Sequence, residues 1–282
     1  MKKKLVIGLL MTYTIGQIYF HLSPLLNYRP ALIMTSLTTI VFFVFSVTHA
    51  MMRFGRLHTA IFVLMTFVVS SFYEIIGVLT GAIFGPYHYT DKLAFKLFGL
   101  VPLLVPLAWF MMIYASYDLA KIILGGNSLY SIRKRFGVGK ALIWALMASG
   151  LSAVTMSAWD LVMDPQMVAE GFWVWKTDGA YFGIPARNFL GWLAATFTIY
   201  ISYSLFELCL PLPSNTELQD DRLLLHLPAV SYTITGLSGC ISALQRNQPA
   251  IFVIGFFSMG GLVIAAFAIL WYRHTLVKTD SL

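Results

Sequence analysis

The sequence predicts an all-α fold, a polytopic transmembrane helical bundle of about eight spans with the N- and C-termini both cytoplasmic. Composition is the first observation: 59% of the 282 residues are hydrophobic and 11% are charged, with a mean hydropathy of +0.78, whereas soluble domains carry about 25% charged residues. The second is that apolar runs close to the ~20 residues needed to cross ~30 Å of hydrocarbon recur along the whole chain. The third is charge asymmetry. With a cytoplasmic N-terminus, only six of the 19 lysines and arginines (Arg29, Lys92, Lys96, Lys176, Arg187 and Arg246) fall on the outer side, and the other 13 fall inside. That distribution obeys the positive-inside rule and places the protein in the cell membrane as a multi-pass chain.

The runs are taken in order. Residues 5–22 follow Met-Lys-Lys-Lys; no small-residue cleavage site follows them, so they read as the first span and not as a signal peptide. Residues 31–51 and 59–80 are the second and third spans, joined by a segment carrying Arg53 and Arg56. The fourth, 97–120, is interrupted by Pro102 and Pro106 and ends near Asp118. The basic run Ser131-Ile-Arg-Lys-Arg-Phe136 reads as a topology anchor near anionic lipid, so the net charge of +7 requires no nucleic acid partner. The fifth span, 140–162, closes on Asp160 and Asp164, and Pro165 is expected to end its helix. The sixth, 189–210, begins after Asn188, a candidate helix cap, and holds Glu207 near its inner end. Residues 223–244 and 249–272 are the last two spans. Cys209 and Cys240 both lie within spans, which favours packing over a disulfide. Without repeats or low-complexity tracts, residues 1–282 read as a single integral membrane domain.

Ionisable side chains within spans are expensive, by ~2.5 to 3.5 kcal/mol at the centre, and are therefore functional candidates. Glu74 lies about six residues inside the third span, roughly 9 Å deep at 1.5 Å per residue. Asp160 and Asp164 are four residues apart and share a helix face. Asp118 and Glu207 read instead as interfacial anchors that reach headgroup water. Two long outer loops accompany the three outer acids. One passes through Phe84-Gly-Pro-Tyr-His-Tyr89, the other through Gly171-Phe-Trp-Val-Trp175 and Tyr181-Phe-Gly-Ile-Pro-Ala-Arg-Asn188. Both are aromatic and poor in charge, and a simple interfacial belt would not require the acids.

Several chemistries lack their residues. A di-iron membrane oxygenase needs paired histidines as neutral ligands; His21, His49, His58, His88, His226 and His274 show no such pairing, so no metal site is expected. Nucleotide, flavin and serine-hydrolase motifs are absent from the sequence. Acid and base chemistry on an apolar molecule remains, along with proton-coupled transport. A carboxyl among aromatic and aliphatic side chains keeps its proton near neutrality and can donate it, while a second, wetter carboxylate can orient or deprotonate water. Aromatic faces stabilise a transient cation. Such a site is suited to adding water across a carbon-carbon double bond.

The run Phe72-Tyr-Glu-Ile-Ile-Gly77 with Phe84-Gly-Pro-Tyr-His-Tyr89, then Ala158-Trp-Asp-Leu-Val-Met-Asp-Pro-Gln-Met-Val168, Gly171-Phe-Trp-Val-Trp175 and Tyr181-Phe-Gly-Ile-Pro-Ala-Arg-Asn-Phe-Leu-Gly-Trp192, resembles the carotenoid biosynthesis protein family. That family includes the carotenoid 1,2-hydratases of the bisanhydrobacterioruberin hydratase type. The resemblance runs from the second span to the eighth and is most specific between Glu74 and Trp192; the first span and residues 211–222 carry no signature. It implies cofactor-independent hydration of the terminal 1,2 double bond on an acyclic carotenoid end, giving a tertiary alcohol, with the carotenoid, water and membrane lipid as partners. It also implies roles for residues. Asp160 is the first choice as proton donor, Glu74 is an acid or orienting partner, and Asp164 holds water. Tyr87, His88 and Tyr89 complete a hydrogen-bond network, Trp109, Trp159, Trp173 and Trp175 line the polyene end, and Arg187 and Asn188 border the site. Structural alternatives stay open: a turn at Asp164, a cap at Asn188, a neutralising charge at Arg187. Two rival readings also stand, a proton-coupled carrier relaying through Glu74, Asp118, Asp160 and Glu207, and a noncatalytic scaffold of a pigment pathway.

Overall fold

The computed structural model describes residues 2–28, 30–93, 95–213 and 221–279. Arg29, one of the expected outer cations, and residues 214–220 of the loop after the sixth expected span lie outside the described residues. The helices are α1 (Lys2–Leu22), α2 (Leu32–Thr80), α3 (Leu104–Ile123), α4 (Leu129–Phe136), α5 (Val138–Ala169), α6 (Ala186–Cys209), α7 (Arg222–Leu225), α8 (Leu227–Gln245), α9 (Pro249–Gly255) and α10 (Gly261–Thr279), the last two joined through a π-helical turn at Phe256–Gly260. Six helical segments among the described residues are long and apolar enough to cross a membrane, as a multi-pass membrane protein requires.

The expected eight spans and the six observed segments differ at two places. Helix α2, 49 residues long, takes in both the second and the third expected spans as two helices that meet at a kink. Its break is at Gly55, with φ 78 and ψ 168, a conformation almost reserved for glycine. The Pro213 ring sits against that break, where a Cβ on Gly55 would lie 2.7 Å from Pro213 Cγ. Helix α3 is the other. Its Asp118, Lys121, Tyr114 and Tyr117 are all buried, and these polar groups leave it outside the six most apolar segments.

Helix α3 occupies the centre, packed by α2, α5, α8 and α10, while α5 lies along α6 and α1 is peripheral on α2 and α8. The exterior is apolar: Leu142, Ile143, Leu146 and Met147 of α5 are exposed. The interior instead takes small polar residues, among them Ser149, Ser152, Thr196 and Ser204, with Ser149 and Ser204 hydrogen-bonded at 3.2 Å across α5 and α6. This arrangement suits a lipid solvent, in which small and hydroxyl side chains let helices approach and bond.

Two expectations are corrected by the packing. Asp118 and Glu207 do not reach headgroup water; each is 1% exposed. Asp118 is ion-paired with Arg53. Glu207 accepts from Lys121 Nζ at 3.0 Å, Tyr117 OH at 2.5 Å and the Leu129 N–H at 2.9 Å. Nor does Pro165 end α5, which continues to Ala169. Proline lacks the N–H that would bond the carbonyl four residues back, here Leu161, and the Tyr181 hydroxyl donates to that carbonyl at 2.7 Å instead.

Four short strands lie among the loops: β1 (Tyr87–Tyr89), β2 (Lys96–Leu97), β3 (Val101–Pro102) and β4 (Trp173–Trp175). β2 pairs with β3, and β1 pairs antiparallel with β4. The second pairing joins the two aromatic loops.

Candidate functional site

The β1 and β4 register places Tyr87 opposite Trp175, His88 opposite Val174 and Tyr89 opposite Trp173. Successive strand residues point to opposite faces, so Tyr87 and Tyr89 are buried, whereas His88 is exposed. Both tyrosines reach the Glu74 carboxylate: Tyr87 OH donates to Oε2 at 2.5 Å and Tyr89 OH at 2.8 Å. Burial, and then the charge of Glu74, hold both phenols well above their usual range. They are therefore fixed donors. On the partner strand, Trp173 Nε1 donates to Asp164 Oδ1 at 2.7 Å, and its ring meets that of Tyr89 edge-on at 5.8 Å. The small sheet thus ties the α2 acid to the α5 acid.

Asn188, in the first turn of α6, bridges the aspartates. Its Nδ2 donates to Asp160 Oδ2 at 2.9 Å and to Asp164 Oδ2 at 2.7 Å; one amide has two N–H groups and spends one on each. Pro185, not Asn188, is the residue at the cap position of α6, and no side chain caps that end. The capping alternative for Asn188 is therefore set aside. Asp160 is 0% exposed and Asp164 1%, so the expected contrast between a dry Asp160 and a wetter Asp164 does not arise from solvent. It arises from partners: both oxygens of Asp164 accept hydrogen bonds, whereas the buried Asp160 Oδ1 has none from the described residues.

A cavity of about 490 Å³ opens beside these groups. Glu74, Tyr87, Tyr89, Trp109, Trp159, Asp164, Trp173, Trp175 and Asn188 all line it. Three expected site residues do not. Asp160 lies behind Asn188 and Asp164. His88 is turned outward by strand alternation. Arg187 is exposed and forms no ion pair with the acids, so it does not neutralise them. Among the described residues no lysine or arginine pairs with Glu74, Asp160 or Asp164, whose polar partners are all neutral.

The residue-by-residue prediction misses Trp192. Its ring stacks on Trp109 at 4.5 Å and 16° and meets Trp159 edge-on at 6.0 Å, forming an aromatic wall of the cavity. Its spacing of four from Asn188 puts both on one helix face, which is the signal that locates it. Phe84, also on the wall, is wedged between Gly77 and Gly191, where a Cβ at either position would lie 2.6 Å from its ring.

A family model described as carotenoid biosynthesis protein matches residues 33–262. A curated relative, the bisanhydrobacterioruberin hydratase of Haloarcula japonica, is 32% identical over 120 residues, covering 43% of this chain and only 36% of that relative's length. No solved structure matches. The family match spans Glu74, Asp160 and Asp164, the β1 and β4 strands and the tryptophan wall, and extends over most of the chain: the protein belongs to the carotenoid biosynthesis protein family.

Proposed function

We propose that the protein is a carotenoid 1,2-hydratase of the cell membrane, adding water across the terminal double bond of an acyclic carotenoid end without a cofactor. The observation that carries the reading is the convergence of Glu74 and Asp164 on one cavity walled by Trp109, Trp159 and Trp192, inside a membrane bundle of this family. The relative named as a hydratase supports it. The proposed topology has eight passes, with α2 crossing twice about Gly55, α3 crossing once, and both termini cytoplasmic, in one domain; the asymmetry of lysine and arginine supports it.

The donor moves from Asp160 to Asp164, because Asp164 faces the cavity and Asp160 does not. Asp164 gives a proton to C2, and the π electrons of the double bond form the new C–H bond. The tertiary cation left at C1 lies against the indole faces, which stabilise positive charge. Water attacks C1 as Glu74, held by Tyr87 and Tyr89, accepts its proton. That proton returns to Asp164 by way of water before the next turnover, so the sum is one alkene plus one water to one alcohol. Asp160 acts on Asp164 through Asn188. A C40 polyene is about as long as the bilayer is thick, so one end can occupy the cavity while the remainder lies among lipid tails.

Expression of the full chain in a carotenoid-producing host tests this reading. The expected result is a pigment heavier than its precursor by one water. Unchanged pigment with the protein verified in the membrane would refute it.

A further inference from the structure

The cavity has two unlike walls. On the α3 and α6 side it is aromatic and aliphatic, as a hydrocarbon end requires. On the α8 side it is polar: Thr235, Ser238, Gly239, Ser242, Gln245 and Arg246 all line it, and their spacing puts them in one stripe along that helix. Polar stripes on membrane helices are costly, and a polyene cannot hydrogen-bond to this one. The stripe grades outward, from partly buried Thr235 and Ser238 to exposed Gln245 and Arg246. Across it, Gln166 Nε2 donates to the Gly239 carbonyl at 2.9 Å, and at its outer end Arg246 is ion-paired with Glu170 of α5.

Part of the stripe binds α1 to α8: Tyr13 OH and Thr235 Oγ1 are 2.7 Å apart, and Ser238 Oγ lies 2.8 Å from His21 Nε2 and 2.5 Å from Gln17 Oε1. Ser242 takes no part in that attachment. It lines the cavity, yet its hydroxyl makes no hydrogen bond to another described residue. Helix docking therefore leaves part of the stripe unexplained. From Glu170 at the outer end to Asp164 in the site is six residues along α5, about 9 Å.

Resting on the hydratase reading, we propose that the α8 stripe is the water inlet of the site, opening at the Arg246 and Glu170 pair and ending at Asp164. Hydration consumes one water per turnover, and the hydrocarbon around the bundle holds almost none. A confined water needs two to four polar partners; the Ser242 hydroxyl is uncommitted among the described residues, and Thr235 and Ser238 each keep a lone pair beside the bonds that dock α1, as Gln245 docks it through His21. Substrate and water thus arrive against opposite walls. When water fails to arrive, the cation at C1 loses a proton from C2 and reverts to alkene.

Two measurements test the inlet. The first needs no catalysis: in full-length protein with Cys209 and Cys240 replaced by serine, Ser242→Cys is treated in membranes with a hydrophilic thiol reagent, beside Leu237→Cys, which is exposed on the apolar surface. Reaction requires a solvated thiolate, so Ser242→Cys should react roughly tenfold faster or more. Equal rates would overturn the proposal whether or not the enzyme is active. The second follows an acyclic carotenoid in heavy water with Ser242→Leu, which obstructs the inlet, and Ser242→Ala, which does not. In Ser242→Leu, hydrated product should fall about tenfold, and deuterium in recovered alkene at C2 should fall with it, because Asp164 regains its deuteron from the same water; Ser242→Ala should resemble the wild type. No loss in Ser242→Leu, or an equal loss in Ser242→Ala, would overturn the inlet. If the wild type gives neither alcohol nor deuterated alkene, the hydratase reading fails, and the thiol result then shows separately whether the stripe is wet.

Discussion

Replacing Asn188 with alanine tests the centre of the proposed site. The side chain makes two bonds, 2.9 Å to Asp160 and 2.7 Å to Asp164, and no other described residue is bonded to that Asp160 carboxyl. A hydrogen bond to a charged group contributes ~1.5–3 kcal/mol and one between neutral groups ~0.5–1.5; taking one of each gives about 3 kcal/mol. If the bridge holds the acids in their reacting arrangement, the loss falls on the transition state and the rate drops by roughly two powers of ten. The assay is the initial rate of alcohol formation at equal amounts of folded protein, with folding checked by thermal unfolding in detergent. A fall in kcat with little change in KM is expected, because on the proposed reading the polyene end rests on the tryptophan wall and Asn188 serves the acids. Asn188→Asp, which replaces the amide donor with a third carboxyl beside Asp160 and Asp164, should be at least as impaired. An Asn188→Ala protein that hydrates within about threefold of wild type would show that the bridge has no part in positioning Asp164, and the Asp160 role would fall with it.

Other substitutions bear on the same geometry. Tyr181→Phe strands the Leu161 carbonyl that Pro165 cannot bond, which should destabilise by about 1–2 kcal/mol. In a Pro165→Ala background the restored N–H takes that carbonyl, so the same change should cost less than about 0.5 kcal/mol; equal losses in both backgrounds, read by thermal unfolding, would refute the pairing. His88→Ala and Arg187→Ala remove side chains outside the cavity and should leave hydration within about twofold of wild type, whereas Tyr87→Phe, which takes one donor from Glu74, should lower it about tenfold. Gly191→Ala sets a methyl 2.6 Å from the Phe84 ring and 2.8 Å from the Ile83 carbonyl; overpacking of about 1–3 kcal/mol is expected, seen as a lowered unfolding temperature.

Much of this site is legible in the sequence because charge in hydrocarbon is conspicuous. Glu74, Asp160 and Asp164 stand out by depth alone, and the aromatic loops by their company. Orientation is what the sequence withholds. Four residues along a helix are one turn plus about 40°, so Asp160 and Asp164 share a face, yet only the second lines the cavity; which one does is set by how α5 rotates against α6. His88 looks equivalent to Tyr87 and Tyr89 until the pairing with Trp173–Trp175 imposes strand alternation. Pro165 reads as a helix end because its rescue comes from Tyr181, sixteen positions later. Gly55 hides its role for a related reason: a glycine between two apolar runs reads as a loop, and the helix on both sides of it is a product of packing.

The five buried acids among the described residues divide by the partners the fold gives them. Asp118 and Glu207 face Arg53 and Lys121. A fixed cation favours the ionised carboxylate and opposes its protonation, which suits an internal fastening: Lys121, Tyr117 and the Leu129 N–H all converge on Glu207, joining α3, α4 and α6. The carrier reading would need those same two acids to accept and release protons, and their pairing resists it. Among the described residues Glu74, Asp160 and Asp164 are given neutral donors: phenol, amide and indole. Such donors orient a carboxyl without a fixed charge that would compel ionisation, so a proton can be given and taken within the cavity. Adding water to an alkene requires that exchange, one proton delivered and one recovered in each cycle. On the hydratase reading, the division also accounts for tryptophan and not arginine beside these acids: the charge that would develop there belongs to the substrate cation, and a permanent neighbouring cation would repel it.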